Sequence, residues 1–540
     1  MSAFASRIDK RSETYQANRR EIMALVDQLR ACEMRAARAS ETRRHRFAER
    51  GQMLPRERLS RLLDPGMPFL ELYNMVNFLV DDPDPQTSIP GGSLICGIGF
   101  ISGARCVVMV DDSGIDAGAM AAMGVPKFLG ALDIALKHKL PFIHLVESAG
   151  ANLMKYAVET WAIGGGLYYR RARLGAAGIP TIAILHGLST AGGAYQPGLS
   201  DYVVGVKGNG MAALGGSALV RAATGEIADD HELGSAEMHA STTGLVEYLA
   251  NDDAHAILQA RQIVERLDWN RHCSLPRATS FVPPRLDPED IAGVAAVDYR
   301  KPYDCREIVA RIVDGSEFEE FKPRYGAATV CIQASVFGHP CGFIGNNGPI
   351  DPAGATKAAQ FMQLCDQSNM SIVFLNNTTG FMVGTAYERA GMVKHGSKMI
   401  QAVANVRVPR IAFYIGASFG AGNYAMSGIG FQPDFLFAWP NSTSGVMGGE
   451  QAAGTMEQVV RASAARRGVP ADEEALARQR ATVVAHFDRQ SSAFVTSGRA
   501  LDQGVIDPRD TRKVLGFLLD TIWEGRNRVV NPNSFGVARL

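Results

Sequence analysis

The sequence predicts an α/β fold built twice. Three observations carry that expectation: an internal repeat of long period, short apolar runs without alternation, and amphipathic segments between those runs. Residues 124–150 (GVPKFLGALDIALKHKLPFIHLVESAG) align without a gap on residues 354–380 (GATKAAQFMQLCDQSNMSIVFLNNTTG), about 230 positions on, with Lys127 over Lys357. After a slip of one residue, 179–195 (IPTIAILHGLSTAGGAY) aligns on 408–424 (VPRIAFYIGASFGAGNY), so Ser189 meets Ser418 and Gly193 meets Gly422. Flanking stretches keep the same order: 110–116 (VDDSGID) with 345–351 (GNNGPID), and 214–216 (LGG) with 447–449 (MGG). A period this long duplicates a whole domain and excludes a solenoid of small repeats.

The elements follow in order. Residues 1–50 are rich in arginine and interspersed with acids, and read as exposed, mostly helical structure. The runs CVVMV (106–110), FIHLV (142–146) and TIAIL (181–185) are short and rich in β-branched residues, as strands covered on both faces are. Between them, 126–139 places Phe128, Leu132, Ala135 and Leu136 on one helical face, and its second-copy partner does so with Ala358, Phe361, Met362 and Cys365. Strand, turn and helix therefore recur, helices pack on sheets, and the crossovers are right-handed. Around Pro276, Pro283, Pro284 and Pro288 the pattern lapses, because proline lacks the amide a regular element needs. The expected division is a first domain over 1–275, a linker over 276–298 and a second domain over 299–540.

Composition removes several functions. Lysine plus arginine and aspartate plus glutamate number 55 each, which leaves no electrostatic footprint for nucleic acid or an anionic membrane. Eight cysteines are scattered without a C-x-x-C pair, so neither a disulfide framework nor a zinc knuckle is indicated, and no metal is expected in the chain. No apolar stretch approaches the ~20 residues of a membrane span. The acids among the first fifty residues argue against a transit peptide. A soluble protein of a reducing compartment, the cytoplasm, is expected.

The chemistry concentrates in two turns. In each copy a buried strand runs into small residues and then a helix: STAGGAY (189–195) and SFGAGNY (418–424). Glycine lets a ligand approach the main chain, and the first amides of a helix point outward unpaired, suiting an oxyanion. A second donor could come from the neighbouring strand end, ESAGAN (147–152) in one copy and NTTGF (377–381) in the other. Two converging N–H groups would polarise a thioester carbonyl or bind an enolate. Glycine clusters at strand ends also serve as plain tight turns, and duplication would copy those as well. Gly416-Ala417-Ser418-Phe419-Gly420 fits the G-x-S-x-G nucleophile elbow of serine hydrolases. Its first-copy equivalent lacks the final glycine, and after His395 only His486 follows. No P-loop, ordered dinucleotide fingerprint or H-E-x-x-H pair occurs.

The turn motifs, together with FAWPNSTSGVMGGEQAA (437–453), YRKPYD (299–304) and DQGVIDPRDTR (502–512), resemble the carboxyltransferase β subunits of biotin-dependent acyl-CoA carboxylases over nearly the whole chain. Within that family, AYQPGLSDY (194–202) and FGAGNYAM (419–426) lean toward the geranyl-CoA and 3-methylcrotonyl-CoA carboxylases. The resemblance implies two tandem crotonase-like domains, each a β-β-α superhelix, and a homohexameric core within an α6β6 complex. It places the active site between the first domain of one subunit and the second domain of another. Gly192 and Gly193 would hold the acyl-CoA thioester oxygen, flanked by Ala149, Gly150, Ala151, Ala191 and Tyr195. Ala421 and Gly422 would hold the biotin ureido oxygen, flanked by Gly380, Phe381 and Gly420. Biotin would arrive on a partner, an α subunit with biotin carboxylase and biotin carrier, because the chain has no A-M-K-M motif. Carboxybiotin would supply the carbon dioxide and take the substrate's γ-proton, leaving no side chain to act as base.

The sequence departs from the family in two places. Gly215-Gly216-Ser217-Ala218-Leu219 replaces A-G-P-P-L, which restores two backbone donors. Two arginines expected near Ser427–Gly430 and Asn441–Val446 are missing, which keeps a non-catalytic scaffold in play beside the carboxylase and hydrolase readings, and the acyl chain is not legible, so a carboxylase for another acyl-CoA such as propionyl-CoA or a longer chain stays open. Lys127, Lys357 and the run Arg170, Arg171 and Arg173 read either as solvated helix residues or as partners for coenzyme A phosphates.

Overall fold

The computed structural model describes residues 2–150, 153–273, 280–533 and 536. Contacts divide the chain into two units. The N-terminal unit is Ala31–Arg277 with Gly498–Ala500 and Asp520–Leu540, and the C-terminal unit is Met1–Arg30 with Ala278–Ser497 and Leu501–Leu519. Residues 1–30, expected with the first domain, thus group with the second.

The chain opens with a two-residue strand β1 (Ser2–Ala3) and the helix α1 (Glu13–Glu41). This helix is not an exposed appendage. Tyr15, Ile22, Val26 and Leu29 recur at helical spacing and are all nearly buried. The Tyr15 hydroxyl donates to Asp290 Oδ1 at 2.9 Å, and Asn18 Nδ2 donates to the Gly293 carbonyl at 3.2 Å. The segment expected as a bare linker therefore contains a docking surface. Pro288–Asp290 forms a 3-10 turn and Ile291–Val294 a short helix whose four residues are buried. Residues 274–279 of that segment lie outside the described residues.

In the N-terminal unit, α2 (Pro55–Leu62) precedes β2 (Leu70–Leu72), β3 (Leu94–Ile101), β4 (Ala104–Asp111), α3 (Gly124–His138), β5 (Phe142–Ser148), α4 (Gly166–Ala176), β6 (Thr181–Thr190), β7 (Tyr202–Val206), β8 (Met211–Ala213), β9 (Tyr248–Ala250) and α5 (Asp253–Leu267). The sheet order is β2-β3-β4-β5-β6-β7-β9, with β8 pairing β6 beyond β7. From β4 onward the pairs are parallel, and the all-apolar runs are the strands that lie inside. Ile143, Leu145, Ile182 and Ile184 pack with Ala256, Ile257, Ala260 and Ile263 of α5. On α3, Phe128, Leu132 and Ala135 are buried as the spacing predicts, joined by Ala131 and Ile134, while Leu136 lies at the edge of exposure.

The C-terminal unit repeats this plan with β10 (Glu317–Glu320), β11 (Thr329–Val336), β12 (His339–Asn346), α6 (Pro352–Gln367), β13 (Ser371–Thr378), α7 (Met392–Asn405), β14 (Arg410–Phe419), α8 (Gly420–Ala425), β15 (Phe435–Ala438) and β16 (Thr443–Gly445). Its order is β1-β10-β11-β12-β13-β14-β15, with β16 pairing β14. The likeness extends to irregularities. The β5–β6 register shifts between Val146 and Ser148, and the β13–β14 register shifts between Asn376 and Thr378. Beyond the shift, Ser148 pairs with Ser189 and Thr378 with Ser418, at the threshold of the two turns.

Candidate functional site

In the N-terminal unit β6 ends at Thr190, and Ala191–Ala194 forms a single 3-10 turn. Amides that open a helical turn lack partners within it, so residues 191–193 present their N–H groups at the strand's end. Ala191 adopts φ 52°, which turns the chain out of the sheet. The β5 end converges on this turn: Gly150 has φ 83°, a Cβ there would lie 3.3 Å from the Thr190 carbonyl, and a Cβ on Gly193 would lie 3.3 Å from the Ser148 carbonyl. The amides of Ala149 and Gly150 are engaged within their own loop, by the Ala117 carbonyl at 3.2 Å and Ser148 Oγ at 3.2 Å. Ala151, the next residue, lies outside the described residues. Tyr195 follows the turn, half exposed, with the Tyr168 ring edge-on at 5.6 Å.

The C-terminal unit reproduces this arrangement with tighter contacts. Gly420 takes φ 56° where Ala191 takes 52°, and α8 opens with Gly420, Ala421 and Gly422. A Cβ on Gly422 would come within 2.8 Å of the Gly380 Cα, so only glycine permits this approach. The Gly380 amide donates to Thr378 Oγ1 at 3.2 Å, as Gly150 does to Ser148. The Ile350 amide donates to the Gly380 carbonyl and the Met382 amide to the Ile350 carbonyl, both at 2.9 Å, which leaves the intervening Phe381 amide outside that pairing. In this copy the amide left for a second donor is therefore that of Phe381, one residue later than the glycine.

A cavity of about 290 Å³ adjoins the N-terminal loop, with Arg43, Arg46, Arg50, Gln52, Ser113 and Ala149 in its wall. The three arginines are exposed and form no ion pair among the described residues. Gln52 Oε1 and Ser113 Oγ are buried there without a hydrogen-bond partner. Two acids share the wall: Asp116, 3.9 Å from Lys155 Nζ, and Glu147, bound by Arg58. Arg58 also holds Asp253 at 2.8 Å, and Asp253 holds His186 Nδ1 at 2.7 Å. Burial alone would raise the Asp253 pKa, but His186 and Arg58 hold it well below the usual carboxylate range. Burial, then Arg58, pushes His186 down, which keeps it neutral. This network braces the strand ends, with Glu147 at the cavity wall.

Several sequence expectations are corrected. Lys127 and Lys357 are neither solvated nor available to phosphates: both are fully buried. Lys127 Nζ donates to the carbonyls of Leu94 (2.5 Å) and Gly91 (3.2 Å), and Lys357 Nζ to that of Lys322 (3.3 Å). Arg171 is buried with Ser200 Oγ at 2.5 Å, whereas Arg170, paired with Asp133 at 2.6 Å at the surface, and Arg173 keep contact with solvent. Ser418 is fully buried in β14, hydrogen-bonded to Asn376 Oδ1 (3.2 Å) and Asn423 Nδ2 (2.8 Å), and no histidine among its described partners activates it. The nucleophile elbow is a sheet position. The amide restored by Ser217 in place of proline donates to Asp230 Oδ1 at 2.7 Å, at the head of the helix Ser217–Thr224. Among the described residues no cluster of potential metal ligands occurs, and no helix is long and apolar enough to cross a membrane.

Sequence reading missed Tyr168, Gln52 and the arginine rim. The arginines lay in plain view, but nothing in their spacing ties residues 43–50 to a loop a hundred positions later.

Comparisons with known proteins give the chain its relatives. Residues 46–535 match the family model described as carboxyl transferase domain. The chain is 45% identical over 500 residues, 92% of each chain, to a probable biotin-dependent acyl-coenzyme A carboxylase beta2 subunit of Mycobacterium tuberculosis. It is 40% identical over 546 residues, 99% of this chain and 91% of the relative, to the mitochondrial methylcrotonoyl-CoA carboxylase beta chain of Arabidopsis thaliana. Among solved structures, the beta subunit of geranyl-CoA carboxylase from P. aeruginosa superposes with a TM-score of 0.93 at 47% identity, covering 100% of both chains.

Proposed function

The chain belongs to the carboxyl transferase domain family, and from that premise we propose that it is the carboxyltransferase β subunit of a biotin-dependent acyl-CoA carboxylase. The substrate proposed is a 3-methyl-branched 2-enoyl-CoA, geranyl-CoA or 3-methylcrotonyl-CoA, carboxylated at its γ-carbon. The likeness to the methylcrotonoyl-CoA and geranyl-CoA carboxylase beta subunits supports that choice.

One observation carries the reading: two turns of the same construction, each closing a strand and opening a helical turn whose first amides lack partners within it. Two reactants, each with a carbonyl-type oxygen to be held, need such a pair. In the N-terminal unit the amides of Gly192 and Gly193 hold the thioester oxygen, and Ala149, Gly150, Ala191 and Tyr195 line the acyl side. Charge that builds on this oxygen as the γ-proton leaves meets donors already in place, each worth about 3 kcal/mol in such sites. Arg43, Arg46 and Arg50 meet the phosphates of coenzyme A. In the C-terminal unit the amides of Ala421 and Gly422, with Gly420, Gly380 and Phe381 around them, hold the ureido oxygen of biotin.

The donor set fits that group, since neutral N–H groups suit a urea oxygen and the contact of Gly422 with Gly380 leaves the amides uncovered by side chains. Bound there, biotin supplies the carboxyl group to be transferred and an acceptor for the substrate proton. A biotinylated α subunit brings it, and the working assembly is a homohexameric core in an α6β6 complex.

The test is carboxylation by the chain co-purified with its biotinylated partner, assayed with geranyl-CoA, 3-methylcrotonyl-CoA, propionyl-CoA and acetyl-CoA. Turnover is expected with one of the branched enoyl thioesters. No biotinylated partner and no turnover would overturn the reading, while turnover confined to propionyl-CoA or acetyl-CoA would overturn the substrate alone.

A further inference from the structure

Among the positions at which the two turns differ, one has a physical cause visible in the structure. Ala421 stands in the second copy where Gly192 stands in the first. A Cβ on Gly192 would lie 2.3 Å from the Tyr168 hydroxyl oxygen, so any side chain there would have to push that hydroxyl aside. In the second copy the Ala421 methyl takes the corresponding place. Tyr168 sits on α4, half-buried, and the edge-on contact with Tyr195 fixes its ring. Among the described residues nothing pairs with its hydroxyl. Burial, then the neighbouring Tyr195, raises its pKa above the ordinary phenol value, so the group stays a protonated donor.

We propose that the Tyr168 hydroxyl is a third hydrogen-bond donor to the acyl-thioester oxygen, beside the amides of Gly192 and Gly193. The inference rests on the acyl-CoA reading of this turn. The phenol keeps its proton throughout. Its hydrogen bond strengthens as the thioester oxygen gains charge on loss of the substrate's γ-proton, so its effect falls on the chemical step.

The experiment compares wild type with Tyr168→Phe, each assembled with the biotinylated partner, in steady-state carboxylation. Phenylalanine keeps the ring against Tyr195, and a melting curve checks that the fold is unchanged. The expected result is a fall of about tenfold in kcat, below the hundredfold of a principal donor, with KM for the acyl-CoA within twofold. Gly192→Ala supplies a second readout: it displaces the hydroxyl, so it should cost as much as Tyr168→Phe or more, and adding Tyr168→Phe to it should cost nothing further. A wild-type kcat in Tyr168→Phe, or a change confined to KM, overturns the proposal and leaves the reading of the site standing. Additive losses in the double variant also overturn it. A wild-type complex that carboxylates no acyl-CoA sinks that reading, and the proposal with it.

Discussion

At the residue scale, buried cations and strained backbone yield the sharpest predictions. Burial pushes Lys127 down to about 8, against the ordinary 10.5. Between those values the folded state binds fewer protons than the unfolded chain, so stability rises with pH across roughly 8 to 10.5 and carries the full penalty below 8. The shift corresponds to roughly 3 kcal/mol. Subtracting the pH–stability curve of Lys127→Met from that of wild type should reveal this slope, and a flat difference would return the lysine to its ordinary pKa. Ala191 holds a left-handed φ that its counterpart Gly420 adopts freely. Such a conformation costs an L-residue about 1–2 kcal/mol, against roughly 0.4–1 kcal/mol of unfolded-state entropy for a new glycine. Ala191→Gly should therefore raise the melting temperature slightly, and a lower value would show that the turn carries no strain. At Gly422 the sign reverses: the added methyl of Gly422→Ala meets the Gly380 Cα and should lower kcat at least a hundredfold in a folded protein. The turn glycines were legible as letters, because the repeat lined them up. Lys127 was not, because a lysine on a helix reads as solvent-facing until one knows that two strand-end carbonyls wait above it.

At the scale of elements, the strands were the most legible part, since runs such as FIHLV have no polar face to leave exposed. The first helix was harder. Its apolar residues are sparse among arginines, and its partner is the proline-rich stretch that lacks any periodicity of its own. The docking is close: a Cβ on Gly293 would lie 2.2 Å from the Tyr15 ring. Gly293→Ala should cost about 1–3 kcal/mol by overpacking, and hydrogen exchange should show the first turns of α1 losing protection before the sheet does. Unchanged protection in α1 would mean that the Tyr15 contact is not what holds it. The Ser217 loop illustrates the opposite case. Without proline the Ser217 amide is a donor, and it meets Asp230 at the start of a helix.

At the scale of the whole chain, the repeat predicts a division of labour that kinetics can read. Charge-removing substitutions at Arg46 and Arg50 should raise KM for the acyl-CoA severalfold while leaving KM for the biotin carrier unchanged. Substitution at Phe381 should move the carrier's KM and not that of the acyl-CoA. Crossed effects would show that the copies share rather than divide the reactants. The duplication was visible in sequence because strand and turn kept their length and their glycines. The role of each copy came from the resemblance alone, since the two turns are built to one plan and the tyrosine beside the first comes from a helix with no visible tie to it.

The paired register shifts, between Val146 and Ser148 and between Asn376 and Thr378, bear on how this chain can evolve. Strands β6 and β14 are both ten residues long and reach their turns the same distance beyond the shift. The one-residue difference between the copies falls upstream, between the β5 or β13 end and the next strand. Each strand thus behaves as a ruler of fixed length from the sheet's lower edge to the reacting oxygen. Insertions are affordable in the helical connections and would be rejected between Thr181 and Gly193, where one extra residue would rotate every amide of the turn away from its mark.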